Sequence, residues 1–238
     1  YRHTGDSEPI EKHWEYLKRC IDGQQVSSRG TLPFHSDETY RFPGYESFRR
    51  GRDVESYVQL ECQSADSAFE YVAAADAMAQ MAAELGKTDE VDYFTARADF
   101  VRKATEKYYW MSGSDRMYYA PAMSDFTTER HRYPFASINM RPMWIGYADL
   151  DAQQRGNVIN SLKYLWREDG TVWPAPEFGY YTTMVPGFVL YNLTELDSPL
   201  VEEALGQVWE AAEASGGFAE MNTPENKPAE EIWGHHRC

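Results

Sequence analysis

The clearest periodicity in the chain begins at Thr88, after which Val91, Phe94, Ala98, Val101, Thr105 and Tyr108 recur at alternating spacings of three and four. Such spacing lines one face of an amphipathic helix with apolar groups. Directly before it, the stretch from Ser64 to Gly86 is alanine-rich on nearly every side and carries Phe69, Val72, Met78, Met81 and Leu85. Small side chains all round let neighbours approach closely, so this helix is expected to be the more buried of the two. Gly86 is placed to end it. Only a tight link remains before Thr88, and a short link between two helices predicts an antiparallel hairpin.

The arrangement recurs. A mostly apolar segment from Tyr133 to Leu150 leads into a helix whose stripe is Val158, Ile159, Leu162, Leu165 and Trp166. A second apolar segment, Pro186 to Leu196, passes through Asp197, Ser198 and Pro199 into a stripe of Leu200, Val201, Ala204, Leu205, Val208 and Trp209. Ser198 is expected to cap that last helix and Pro199 to occupy its first position. A further helix from about Glu8 to Gly23 reads as the outer member of a hairpin whose first half is missing.

Links inside the hairpins are short, whereas those between them are long: Gly23 to about Asp53, Ser112 to Arg132, Arg167 to Val185, and Ser215 onward. If hairpins pack side by side, all the long loops share one face. Loops of that length are usually functional or disordered. Phe34, Tyr40, Phe42, Tyr45, Tyr118, Tyr119, Trp173, Phe178, Tyr180, Tyr181, Phe218 and Trp233 give these too much aromatic surface for solvated linkers.

Composition supports one globular domain over residues 1–238, with 42% hydrophobic and 15% aromatic residues. A formal charge of -15 would repel phosphate backbones and anionic membranes, so neither nucleic acid nor a membrane is an expected partner. No apolar run approaches the ~18 residues of a membrane span. Cys20, Cys62 and Cys238 are too few and too scattered for a disulfide framework or a zinc site. The chain starts at "YRHTGDSEPI", with no Met and no signal-peptide core. It is therefore expected to be trimmed at its front, which leaves a secreted or periplasmic location open.

The chemistry gathers in the long loops. The first offers His35, Asp37, Glu38 and Tyr40; the second, Asp125 and Glu129; the third, Trp173 and Glu177; the fourth, Glu220, Glu225, Glu230, Glu231 and Trp233. Rings beside acids suit carbohydrate, because the C–H face of a pyranose stacks on an aromatic ring while carboxylates bond the hydroxyls. Hydrolysis of a glycosidic bond needs one carboxylic acid to protonate the leaving oxygen, and usually a second to activate water or attack the sugar. Asp37, Glu38 and Glu177 are the candidates for those roles. His35, Tyr40, Arg41, Trp173, Tyr181, Glu220 and Trp233 are candidates for holding an oligosaccharide or polysaccharide. The plainer readings are a turn cap for Asp37, a solvated loop position for Glu177, and plugs of a barrel mouth for Trp173 and Trp233.

Arg41, Arg49, Arg50, Arg52, Arg130, Arg132 and Arg237 also cluster in these loops, and arginine forks suit a uronate or other anionic glycan as well as the chain's own acids. His35 has no second histidine at helical ligand spacing, so no metal and no cofactor is expected. The sequon at Asn192 lies inside an apolar helix and reads as incidental.

Helical hairpins with long aromatic and acidic loops on one face resemble the six-hairpin glycosidases. The resemblance implies an all-α chain forming part of an (α/α)6 barrel, with its pocket at the N-terminal ends of the inner helices and a Glu or Asp acid working with a carboxylate base. About seven helices are read where a closed toroid has roughly twelve, so the chain is expected to be part of a longer catalytic domain. Related toroids also house polysaccharide lyases, for which His35, Tyr40, His131 and the arginines would serve, and sugar epimerases, for which His131 with His235 or His236 would serve. A helical interaction module is the non-enzymatic alternative. Sugar, linkage, stereochemistry and oligomeric state are not encoded in these patterns.

Overall fold

The computed structural model describes residues 4–33, 62–113, 116–124, 128–130, 133–168, 170–173, 181–182, 184–215 and 221–222. In chain order the elements are α1 (Glu8–Asp22), β1 (Cys62–Ser64), α2 (Ala65–Glu84), α3 (Thr88–Tyr108), β2 (Trp110–Gly113), β3 (Arg116–Tyr119), β4 (Ala122–Ser124), α4 (Ala136–Asn139), α5 (Arg141–Trp144), α6 (Ala152–Leu165), β5 (Tyr181–Thr182), α7 (Met184–Glu195), α8 (Val201–Ser215) and β6 (Met221–Asn222). The described chain is thus mostly helical, as the hydrophobic pattern predicts, with a few short strands. These residues form two compact units, one of 4–33, 62–109, 122–124 and 128–129, the other of the remainder.

In the first unit, α2 and α3 form the expected hairpin. The hydroxyl of Ser64 accepts the Ser67 N–H at 3.3 Å and starts α2. Its end is a Schellman turn: the Lys87 N–H reaches the Ala82 carbonyl at 2.9 Å and the Gly86 N–H reaches Ala83 at 3.1 Å. Gly86 there has φ +69, a conformation that glycine adopts without penalty. The alanine-rich helix is the more buried, with nine buried residues to the five of α3. On α3 the buried face is Phe94, Ala98, Val101, Ala104 and Thr105. Helix α1 carries Glu8 and Glu11 in its first turn and Arg19 in its last, both favourable to its dipole. It buries Ile10, Trp14 and Ile21, and Trp14 meets Phe94 edge-on at 6.0 Å.

In the second unit, the core joins Ala136, Met140, Val158, Leu162, Val189 and Leu193. Here the sequence pattern is followed less closely. Tyr133 to Leu150 is not one buried helix but the two short helices α4 and α5. Pro142 stands in the first turn of α5, and a proline has no N–H with which to continue the ladder of α4. On α6, Val158, Leu162 and Leu165 are buried as predicted, but Ile159 is 46% exposed and Trp166 lies beyond the helix in extended backbone. Among the described side chains of α8 only Ala204 is fully buried, while Leu205 and Trp209 are 56% and 66% exposed. Ser198 caps the turn before the helix rather than the helix itself: its hydroxyl accepts the Leu200 N–H and its carbonyl the Val201 N–H, both at 3.3 Å. The turn so capped contains Pro199, and α8 begins after it at Val201.

Among the described residues no helix is long and apolar enough to cross a membrane.

Candidate functional site

Among the described residues, short antiparallel strands pair at the edges of the long loops. In the first unit Pro33 bridges Gln63, and the Ser64 N–H donates to the Leu32 carbonyl at 3.0 Å, so the two ends of the first loop are tied together. Strand β1 then pairs with β4 of the second loop, Cys62 opposite Ser124. In the second unit β5 of the third loop pairs with β6 of the fourth, Tyr181 opposite Asn222. In the first unit, therefore, the strand that follows the first loop pairs with a strand of the second, and in the second unit a strand of the third loop pairs with one of the fourth.

Of the predicted site residues, Tyr181 is placed by its backbone in β5, beside the strand that follows Glu220. Trp173 is half-buried where the chain turns back after α6: its N–H reaches the Leu165 carbonyl at 2.9 Å and its indole Nε1–H donates to Thr171 Oγ1 at 2.8 Å. The Arg167 guanidinium lies over its ring, 4.5 Å from the centroid. His35, Asp37, Glu38, Tyr40, Arg41, Glu177, Glu220 and Trp233 lie outside the described residues, as do Asp125 and most of the loop arginines. Arg130 is described, and its Nη1 donates to the Trp110 carbonyl at 2.8 Å.

Tyr118 and Tyr119, counted above among the loop aromatics, are fully buried and belong to the support of the second loop. Strand β2 pairs with β3, Trp110 opposite Tyr119, and the two rings meet at 4.9 Å. Beneath them lies a polar network that apolar periodicity does not reveal. Asn139 accepts the Tyr119 N–H at 2.8 Å through Oδ1, and its Nδ2 donates to the carbonyls of Tyr119 at 3.1 Å and Phe135 at 3.2 Å. Asn157 donates to the Asn139 carbonyl at 2.9 Å, and Gln153 and Gln154 donate to the Tyr119 hydroxyl at 2.9 and 3.2 Å. The legible signal was Gln154, Asn157 and Ser161, polar residues at helical spacing on the buried side of α6.

Asn192, the sequon residue, is buried, and its Nδ2 donates to the carbonyls of Met140 at 2.6 Å and Phe188 at 2.7 Å. It is occupied in joining α7 to the residue between α4 and α5.

A second polar cluster, in the first unit, involves none of the predicted site residues. Tyr93 donates from its hydroxyl to Asp22 Oδ1 at 2.6 Å and accepts from Arg97 Nη1 at 3.1 Å, while Arg97 Nε donates to the Tyr71 hydroxyl at 2.5 Å. The hydrogen bond to Asp22, with some burial, raises the Tyr93 phenol above its ordinary value, and burial raises that of Tyr71.

Residues 1–130 match the family model described as the bacterial alpha-L-rhamnosidase 6 hairpin glycosidase domain. Among solved structures, the chain is similar to a GH78 family rhamnosidase of Bacillus sp. GL1, at 17% identity and a TM-score of 0.64 over 99% of this chain and 23% of that one. It is also similar to a rhamnosidase from Klebsiella oxytoca with rhamnose bound, at 14% identity and a TM-score of 0.59, covering 98% of this chain and 39% of that one. A reducing end xylose-releasing exo-oligoxylanase shares the fold at 12% identity and a TM-score of 0.51, over 98% of this chain and 62% of that one. The chain therefore spans between about a quarter and two fifths of the length of the two rhamnosidases. No curated protein matches it.

Proposed function

The chain belongs to the bacterial alpha-L-rhamnosidase six-hairpin glycosidase domain family, and from that membership we propose that the protein carrying it hydrolyses a glycosidic bond, with an α-L-rhamnoside as the first substrate class. The family match over residues 1–130 carries this reading. That segment includes the whole first loop, where Asp37 and Glu38 stand among His35, Tyr40 and Arg41. Two solved rhamnosidases with the same fold support it.

Chemically, the reaction needs a proton for the departing oxygen and a carboxylate for water or for the sugar carbon. Asp37, Glu38 and Glu177 supply the candidates. Glu177, between Pro176 and the rings of Phe178, Tyr180 and Tyr181, suits the acid, since an apolar surround keeps a carboxyl protonated at neutral pH. Tyr40, Trp173, Tyr181 and Trp233 serve as platforms for the oligosaccharide, and Arg41 and Glu220 as partners for its hydroxyls or for a uronate beside the scissile bond.

The test is kinetic and uses the full-length protein. Aryl α-L-rhamnoside and aryl β-D-xyloside are assayed in parallel, with Glu177→Gln and Asp37→Asn. The rhamnoside is expected to be cleaved, with kcat lowered by ~100-fold or more in whichever variant removes an acid or base. Cleavage of the xyloside alone would overturn the substrate class. Full activity in both variants would overturn the assignment of the carboxylates.

A further inference from the structure

The polar cluster around Arg97 borders a cavity of about 360 Å³. We propose that this cavity, formed by the end of α1, the turn that follows it, α2 and α3, binds a single neutral sugar residue. Its volume lies near the lower end of the range for small-molecule sites, which suits one ring better than a chain. It is lined in part by Asp22, Gln24, Ser27, Tyr71, Arg97 and Phe100. None of these is a predicted site residue.

The charges, together with the exposed ring of Phe100, narrow the class of ligand. Arg97 spends Nε on Tyr71 and one Nη1 hydrogen on Tyr93, so its Nη2 amino group has donors to offer. Asp22 takes the Tyr93 hydroxyl on Oδ1 and keeps Oδ2 as an acceptor. Gln24 donates its Nε2 to the Cys20 carbonyl at 3.1 Å and keeps Oε1. An anion drawn to Arg97 would be repelled by Asp22, and a cation drawn to Asp22 would be repelled by Arg97. A neutral polyol satisfies both, because one hydroxyl accepts from the guanidinium while its neighbour donates to the carboxylate, each in a charge-assisted hydrogen bond. Phe100, 48% exposed, presents an apolar ring to the C–H face of such a ligand. Arg97 is already held by two tyrosines, so little side-chain freedom is lost on binding.

Phe100→Trp in the full-length protein places a fluorescent reporter at the cavity, read as the difference from the parent protein. Titration with L-rhamnose and with D-xylose is expected to give a saturable change with a Kd on the order of 1–10 mM. Adding Asp22→Asn, an exposed substitution, or Arg97→Met is expected to weaken it by ~5-fold or more. Sodium D-glucuronate and inorganic phosphate are expected to bind more weakly than the neutral sugars. An absent response to both neutral sugars, an equal response in the Asp22→Asn protein, or tighter binding of either anion would overturn the proposal. Thermal unfolding of each variant separates loss of binding from loss of fold.

Discussion

A buried amide such as Asn139 is stable only because its polar atoms are met, here by the backbone of Tyr119 and of Phe135. Asn139→Ala removes the side-chain bonds to the Tyr119 backbone beneath the β2–β3 hairpin, while the Phe135 carbonyl keeps the Ile138 and Asn139 N–H groups, and it is expected to destabilise the protein by ~1–3 kcal/mol, seen as a lower denaturation midpoint. An unchanged midpoint would mean that the hairpin is held by its rings instead. A second prediction at this scale concerns alkaline pH. Tyr71 and Tyr93 hold their protons more tightly in the folded protein than the ordinary phenol value of 10.0. Their contribution to stability is therefore present below about pH 10 and is lost as pH rises through the folded values. Tyr93→Phe removes one of these titrations, so its denaturation midpoint should fall less steeply above that pH than the parent's. At the level of single residues, apolar burial was legible in Phe94, Ala98 and Val101, because their spacing repeats with the helix. Asn139 was not, because an amide reads as surface until its partner, Tyr119, twenty residues away, is known.

At the scale of elements, two glycines with similar backbones separate conformational strain from close packing. Gly86, φ +69, has nothing within 4 Å of where a Cβ would stand, whereas at Gly30, φ +81, a Cβ would lie 2.8 Å from that of Ala104 and 3.1 Å from the Phe100 carbonyl. Gly86→Ala is expected to cost ~1–2 kcal/mol through strain alone. Gly30→Ala adds a clash between the turn after α1 and α3, and a total of ~3 kcal/mol or more is expected from chemical denaturation of the two variants side by side. Equal losses would show that the turn moves aside. The α2–α3 hairpin was readable because cap, periodicity and link length all agree. The α4–α5 break was not, because apolar composition hid the effect of Pro142 on the ladder. Strands of two to four residues, such as β5 and β2, are too short to show an alternating pattern.

At the scale of the whole molecule, the alternation of short and long links leads to the six-hairpin resemblance, and the family match and the shared fold bear it out. Pattern was enough there because a helical toroid repeats one unit, so a few hairpins carry its signature. The site is less legible: acids and rings in a loop mark carbohydrate chemistry, but which carboxylate gives the proton depends on surroundings that spacing does not encode. The most direct test of the central claim is mass analysis of the products formed from an α-L-rhamnoside by the full-length protein in heavy-oxygen water. Hydrolysis predicts that the two fragments together gain one water and that a single heavy oxygen is incorporated. Fragments formed without added water, one of them unsaturated, or an intact substrate with correctly folded protein, would contradict it.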